Sequence, residues 1–265
     1  ISVGLLAQQT NASCVVRYGD TVVLCAATLG EAREDAGFFP LSVDFEERMY
    51  AAGRNKGSRF IKREGRPTDE AILSGRLVDR AVRPLFPSTL RNEVAVVATV
   101  FSHDQENDAD IPALIGASCA LSLSDIPWNG PIAAVRVGRV GGELVLMPNY
   151  QQTEQGDLDL VVAGTREKTL MVEAGAKQVS EADMLAAMRF ASEKLQPVIE
   201  LIQQVVKLHG KQKQVKPVAE SDTTKAEGLQ RAKQLVDAYF AEHGGELFAQ
   251  PLKTKADRKQ ALKAF

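Results

Sequence analysis

Residues 13–29, SCVVRYGDTVVLCAATL, constrain the fold more than any other stretch of this chain. Two runs of β-branched and small apolar residues flank Tyr18-Gly19-Asp20-Thr21. That pattern predicts a β-hairpin, because Gly and Asp tolerate the backbone of a tight turn. A further strand is predicted at 41–50, where Leu41, Val43 and Phe45 alternate with Ser42, Asp44 and Glu46 as in a half-buried strand. Another follows at 94–101, a continuous apolar run. Two more hairpins are predicted, one at 132–147 around Gly141-Gly142 and one at 158–173.

Helical patterns are interleaved with these strands. Pro67-Thr68 opens one, with Asp69 and Glu70 in its first turn where the helix dipole favours acids. Residues 111–124, IPALIGASCALSLS, read as a helix small and apolar enough to pack closely on a sheet. Ser180 caps a long pattern ending at His209-Gly210, with a kink or break expected at Pro197. Residues 211–216, with Pro217, read as a polar linker. Residues 222–243 form another amphipathic helix, stopped by Gly244-Gly245, and the tail reads as a helix cut short. This order predicts an α/β (α+β) core over 1–212, a mixed sheet packed with helices. An all-α segment follows over 213–265.

At 265 residues and 45% hydrophobic, the chain can bury a substantial core as one large or two smaller domains. The three cysteines, Cys14, Cys25 and Cys119, are odd in number, widely spaced and set in apolar contexts. Buried, reduced thiols and a cytoplasmic setting are expected. No apolar run approaches the ~20 residues that span a bilayer, and no signal peptide is visible, so no membrane partner is expected. The chain begins with Ile, and ISVGLL reads like the middle of a strand, so a piece of something longer is expected.

Charge is unevenly placed. The net charge is −2, yet between Arg54 and Arg83 nine basic residues stand against four acidic ones, a local excess of five. Clustered guanidinium groups are the usual means of gripping phosphates. Arg76, Arg80 and Arg83 fall at i, i+4 and i+7, on one helix face, with Leu73, Leu77 and Ala81 on another. In the preceding loop, Phe60 lies among Arg59, Lys62, Arg63 and Arg66, which combines a stacking platform with cations, as single-stranded nucleic acid requires. A pI near 6.0 excludes a protein that coats nucleic acid indiscriminately, so any such role is local.

Metal and nucleophile signals are poor. His103, His209 and His243 are scattered without ligand spacing. Asp104, Glu106, Asp108 and Asp110 alternate but lack the glycine and terminal glutamate of an EF-hand, and read as a solvated loop with Asp110 as a helix N-cap. Asp157 and Asp159 are a weak Mg²⁺ signal by themselves.

The motifs VVRYGDTVVL (15–24), FIKREGRP (60–67), RLVDRAVRPLFP (76–87), IGASCALSLSDIPWNGPI (115–132) and LDLVVAGT (158–165), in this order, resemble the first RNase PH-like core of bacterial polynucleotide phosphorylases. The resemblance runs from Ile1 to about residue 212, and the rest resembles the start of that family's helical linking domain. It implies a ribosomal protein S5 domain 2-like fold and a homotrimeric ring. The implied enzyme is a phosphorolytic 3′-to-5′ exoribonuclease that degrades mRNA and releases nucleoside diphosphates. Its co-substrate is inorganic phosphate, its cofactor is Mg²⁺ in a second core, and its partners are single-stranded RNA and the members of an RNA-degradation complex.

The resemblance also implies where chemistry is missing. The family's active core has a serine run at the start of its central helix and an Asp…Asp-x-Lys pattern. Here those places read Asn107-Asp108-Ala109-Asp110 and Thr153, Asp159, Val161. No catalytic and no metal residue is therefore expected in this core, and the chain alone is expected to be inactive. RNA binding is expected at Phe60, Lys62, Arg63, Arg66, Arg76, Arg80 and Arg83. The family loop runs A-G-[KR]-I-P-G-[GS]-F, whereas Ala52–Phe60 here lacks Ile-Pro and is one residue longer, so a looser, more basic loop is expected. The competing expectation is a non-catalytic RNase PH-like ring subunit that binds RNA and scaffolds an exosome-like complex.

Overall fold

The first predicted hairpin is the centre of a five-stranded sheet in the computed structural model of the chain, which describes residues 1–32, 38–54, 65–214 and 220–247 with 255, 258 and 259. Strands β1 (Ser2–Val3), β2 (Ala12–Tyr18), β3 (Thr21–Ala32), β4 (Leu41–Glu47) and β5 (Asn92–Ser102) lie in the order β1-β2-β3-β5-β4. Gly19 takes φ 59 in the β2–β3 turn, and a Cβ there would stand 2.7 Å from Asp104 Oδ2, so glycine is favoured. All pairings are antiparallel except β4 with β5. A parallel pair needs a crossover connection, and helix α1 (Asp69–Val82) supplies it. Thr68 caps α1 by accepting from the Ala71 N–H at 3.0 Å.

The second sheet holds β6 (Ala133–Val140), β7 (Glu143–Leu146), β8 (Leu158–Gly164) and β9 (Thr169–Ala176), all antiparallel, in the order β7-β6-β8-β9. The third hairpin is longer than its sequence suggested, reaching Ala176. Between β7 and β8 a short helix, α3 (Tyr150–Gln155), forms where none was expected, closed by a capping box between Asn149 and Gln152.

Helix α2 (Asp110–Leu123) fills the interior, packing on β2 and β3 and also on α1, β6 and the later helix α4 (Glu181–His209). A helix apolar on every side must be buried on every side, and only Ile115 of α2 is not fully buried. Close approach depends on its small residues: a Cβ on Gly116 would meet Cys25 Sγ at 2.5 Å. Cys14, Cys25 and Cys119 are buried free thiols, as read from the sequence. Desolvation pushes the Cys25 thiol far above its ordinary value.

Of the kink or break expected at Pro197, the break does not occur, since α4 is continuous from Glu181 to His209. Ala187, Ala191, Leu195, Ile199 and Ile202 are buried along one face on both sides of the proline. The first four of these pack with Val135, Val137 and Leu160 of the second sheet, and that burial outweighs the one lost backbone bond. Residues 211–214 then run extended along the end of α2. Lys213 Nζ donates to the Leu121 and Ser124 carbonyls at 2.6 and 2.7 Å, and burial lowers its ammonium to about 8.

The chain divides into two units at Gln214 and Val215. The second unit contains α5 (Glu220–Leu247), which passes through Gly244-Gly245 rather than stopping there. Leu235, Val236, Tyr239 and Phe240 are exposed on it. Among the described residues no helix is long and apolar enough to cross a membrane.

Candidate nucleic-acid interface and the ion-pair locus beside it

Of the seven residues expected at an RNA interface, Phe60, Lys62 and Arg63 lie outside the described residues. The two described ends of the basic segment, Arg54 and Arg66, are both exposed. A 3₁₀ turn, Met49–Ala52, carries the chain out of β4 and ends at Gly53, φ 66, which permits the left-handed turn. There the Arg54 N–H donates to the Met49 carbonyl at 2.9 Å. Arg66 precedes the Thr68 cap of α1 by two residues. About two helical turns beyond that cap, Arg76 is exposed and makes no side-chain hydrogen bond or ion pair with the described residues.

The other two arginines of α1 have partners. Arg80 reaches β9, donating to Glu173 Oε2 at 2.7 Å and to the Val172 carbonyl at 3.3 Å. Arg83 makes a two-point pair with Asp79, at 3.1 and 2.7 Å, and donates to the Phe39 and Leu41 carbonyls at 3.3 and 3.2 Å. Its guanidinium also lies 5.9 Å from the centre of the Phe39 ring. Helical spacing did not show these partners: Arg83 clamps α1 to the start of β4, and Arg80 ties α1 to β9. Of the three apolar residues on the other face, Leu77 and Ala81 are in the core and Leu73 is 64% exposed.

Next to this surface lies the place where the sequence lacks a serine run and a complete carboxylate pattern. Its centre is Arg136, in β6. Nη2 contacts Asp110 at 2.6 Å and Asp108 at 3.2 Å, and Nη1 contacts Asp159 at 2.7 Å. Asp108 also accepts from the Tyr150 hydroxyl at 2.7 Å, and His103 Nε2 lies 3.2 Å from that hydroxyl. The carboxylate of Asp110 closes the N-terminus of α2 itself, accepting from the Ile111 N–H at 2.6 Å. The N-cap is Ala109, not Asp110. A cleft of about 340 Å³ opens beside this network, walled by Leu73, Leu77 and Val161 with Asp110, Arg136, Asp159 and Glu173.

Three carboxylates share one guanidinium, so the electrostatics are strained. Burial raises the Asp110 carboxyl to about 6, with Asp108 adding to it and Arg136 opposing. Arg136 moves the other way: burial would lower it, but Asp110, Asp159 and Asp108 hold it protonated above its ordinary value. Asp159 Oδ1 and Arg136 Nε remain buried without partners. Such a locus repels phosphate. It does not fit Mg²⁺ either, because the guanidinium already sits where a cation would be needed. Thr153 and Val161 supply no charge: Thr153 Oγ1 bonds the Asn149 carbonyl and Val161 is buried.

The other acids are structural. Asp157 pairs with Arg139, which also takes Asp183 at the start of α4. Asp104 accepts from the backbones of Glu106 and Asn107 and from the Asn107 side chain, and these bonds hold it well below the carboxylate range despite the opposing effect of burial. Sequence reasoning missed Arg136. The available signal was a lone arginine inside the apolar strand AAVRV.

Two family models match the chain: the 3′ exoribonuclease family, domain 1, over residues 1–127, and domain 2 of the same family over residues 130–194. The chain is 53% identical over 219 residues to a polyribonucleotide nucleotidyltransferase of Heliobacterium modesticaldum, covering 82% of this chain and 31% of that protein. It is similarly 53% identical over 201 residues to the protein of that name in Thermus thermophilus, covering 76% and 28%. A third, in Oceanobacillus iheyensis, is 48% identical over 229 residues, covering 86% and 32%. The chain thus spans less than a third of the length of the curated relatives it matches.

Proposed function

Because this chain belongs to the 3′ exoribonuclease (RNase PH) family, we propose that it is the non-catalytic first core of a polyribonucleotide nucleotidyltransferase. In that enzyme inorganic phosphate attacks the terminal internucleotide phosphorus of RNA and a nucleoside diphosphate leaves. Mg²⁺ acts in a second core, in a cytoplasmic homotrimer. This core's part is to hold single-stranded RNA. Arg54, Arg66 and Arg76 offer exposed guanidinium groups to phosphates, with Phe60, Lys62 and Arg63 of the same basic segment. Arg80 and Arg83 hold the helix that carries Arg76. Phosphate contacts give affinity without base specificity, so the RNA is of almost any sequence.

One observation carries the non-catalytic reading: Arg136 seated among Asp108, Asp110 and Asp159. A phosphorolytic site needs an open, positive pocket where transition-state charge develops, and here the positive charge is already neutralised by carboxylates. The purified chain, given poly(A), Mg²⁺ and phosphate, is expected to release no ADP. ADP release that persists after repurification from contaminating host enzyme would overturn the reading.

A further inference from the structure

Both stalks of the basic segment stand on the last residues of β4. On the outgoing side, Glu46 accepts from Arg48 Nη2 at 2.5 Å and from Thr99 Oγ1 at 2.8 Å, and the Ala51 carbonyl accepts from the His103 N–H at 3.0 Å. On the returning side, Thr68 has two bonds. Its oxygen accepts from the Ala71 N–H at 3.0 Å, which caps α1, and its hydroxyl donates to Glu47 Oε2 at 2.8 Å. Glu47 and Thr68 are 21 residues apart in sequence, and between them lie Arg54 and Arg66. Glu47 is exposed, so its carboxylate would be fully solvated without this bond.

A carboxylate at the root of a basic, phosphate-gripping segment is costly to that segment's purpose, since it repels the ligand. We propose that Glu47 is a positioning residue for RNA. By accepting the Thr68 hydroxyl it ties the start of α1 to the end of β4 and fixes Arg54 and Arg66 at one separation. The inference rests on the RNA-holding role proposed above. It makes a prediction opposite in sign to simple electrostatics: truncating this acidic side chain to alanine, which removes the acceptor along with the charge, weakens RNA binding, where charge alone would strengthen it.

The test is the affinity of the whole chain for a fluorescein-labelled 20-nucleotide oligoadenylate, with melting temperature measured alongside. Glu47→Ala is expected to weaken binding about fivefold, the worth of one exposed charge-assisted hydrogen bond, with melting unchanged. Glu47→Gln keeps an acceptor oxygen and sheds the charge, so it is expected to bind as well as the parent or better. Adding Glu47→Ala to Thr68→Val is expected to bring no further loss, because both changes remove the same bond. Unchanged or tighter binding by Glu47→Ala, while Arg66→Ala weakens it, overturns the inference and leaves the RNA reading standing. If Arg66→Ala has no effect either, the RNA reading fails and this inference fails with it.

Discussion

Arg136→Leu is expected to destabilise the first unit by about 3–5 kcal/mol, the usual cost of removing one partner of a buried ion pair. The side chain of Arg136 is only 14% exposed and that of Asp110 only 10%, so water offers either charge little alternative. Asp108 and Asp159, at 41% and 32%, are better placed to stay hydrated. Most of the cost therefore falls on Asp110, and adding Asp110→Asn to Arg136→Leu is expected to recover part of it. Urea midpoints at constant slope measure both effects. The same carboxyl gives a pH signature. Its folded value, about 6, lies above its unfolded one, so the stability it contributes is present in acid and is lost as pH rises through about 6. Asp110→Asn is expected to remove that slope. A midpoint for Arg136→Leu close to the parent's would mean that the network is looser in solution than its geometry implies.

Gly116→Val is expected to cost about 3 kcal/mol, the upper end of the usual range for overpacking a core. The added Cβ would stand 2.5 Å from Cys25 Sγ, 3.0 Å from Cys25 Cβ and 3.2 Å from Val16 Cγ2. Helix α2 cannot retreat from these atoms, because α1, β6 and α4 press on it elsewhere. Gly116→Ala is the milder form. Combined with Cys25→Ala it loses its worst contact, so the pair is expected to cost less than the two single changes added together. Strict additivity in denaturation midpoints would show that α2 shifts freely, against the packing described.

What could be read from sequence was local. The β2–β3 and β6–β7 turns announce themselves through Gly19 and Gly141-Gly142, whose backbones do adopt positive φ. The buried thiols and the all-round apolar α2 follow from composition alone. What could not be read depends on residues brought from afar. Arg83 finds the carbonyls of Phe39 and Leu41, 44 and 42 positions away, and Arg136 finds Asp110 and Asp159 at separations of 26 and 23. Helical spacing shows which face an arginine occupies, not whether a neighbouring strand has already claimed it. Pro197 taught the same lesson in reverse, since packing on the second sheet holds α4 continuous through a residue that locally opposes it. Helix α3, Tyr150–Gln155, has too few apolar residues to show a period, and its signal was the Asn149–Gln152 cap.

The central claim is that this chain grips RNA by its phosphates through the basic segment, while the neighbouring locus is closed by its own arginine. It is tested most directly by the salt dependence of single-stranded RNA binding, for the parent and for the variant with Arg54, Arg66 and Arg76 all changed to Ala. Each lost phosphate contact is expected to flatten the slope of log K against log[salt] by roughly 0.7, so the triple variant should lose about 2 from the parent slope, alike for all RNA sequences. An unchanged slope would contradict the account, because it would mean that these guanidinium groups never reach the phosphates.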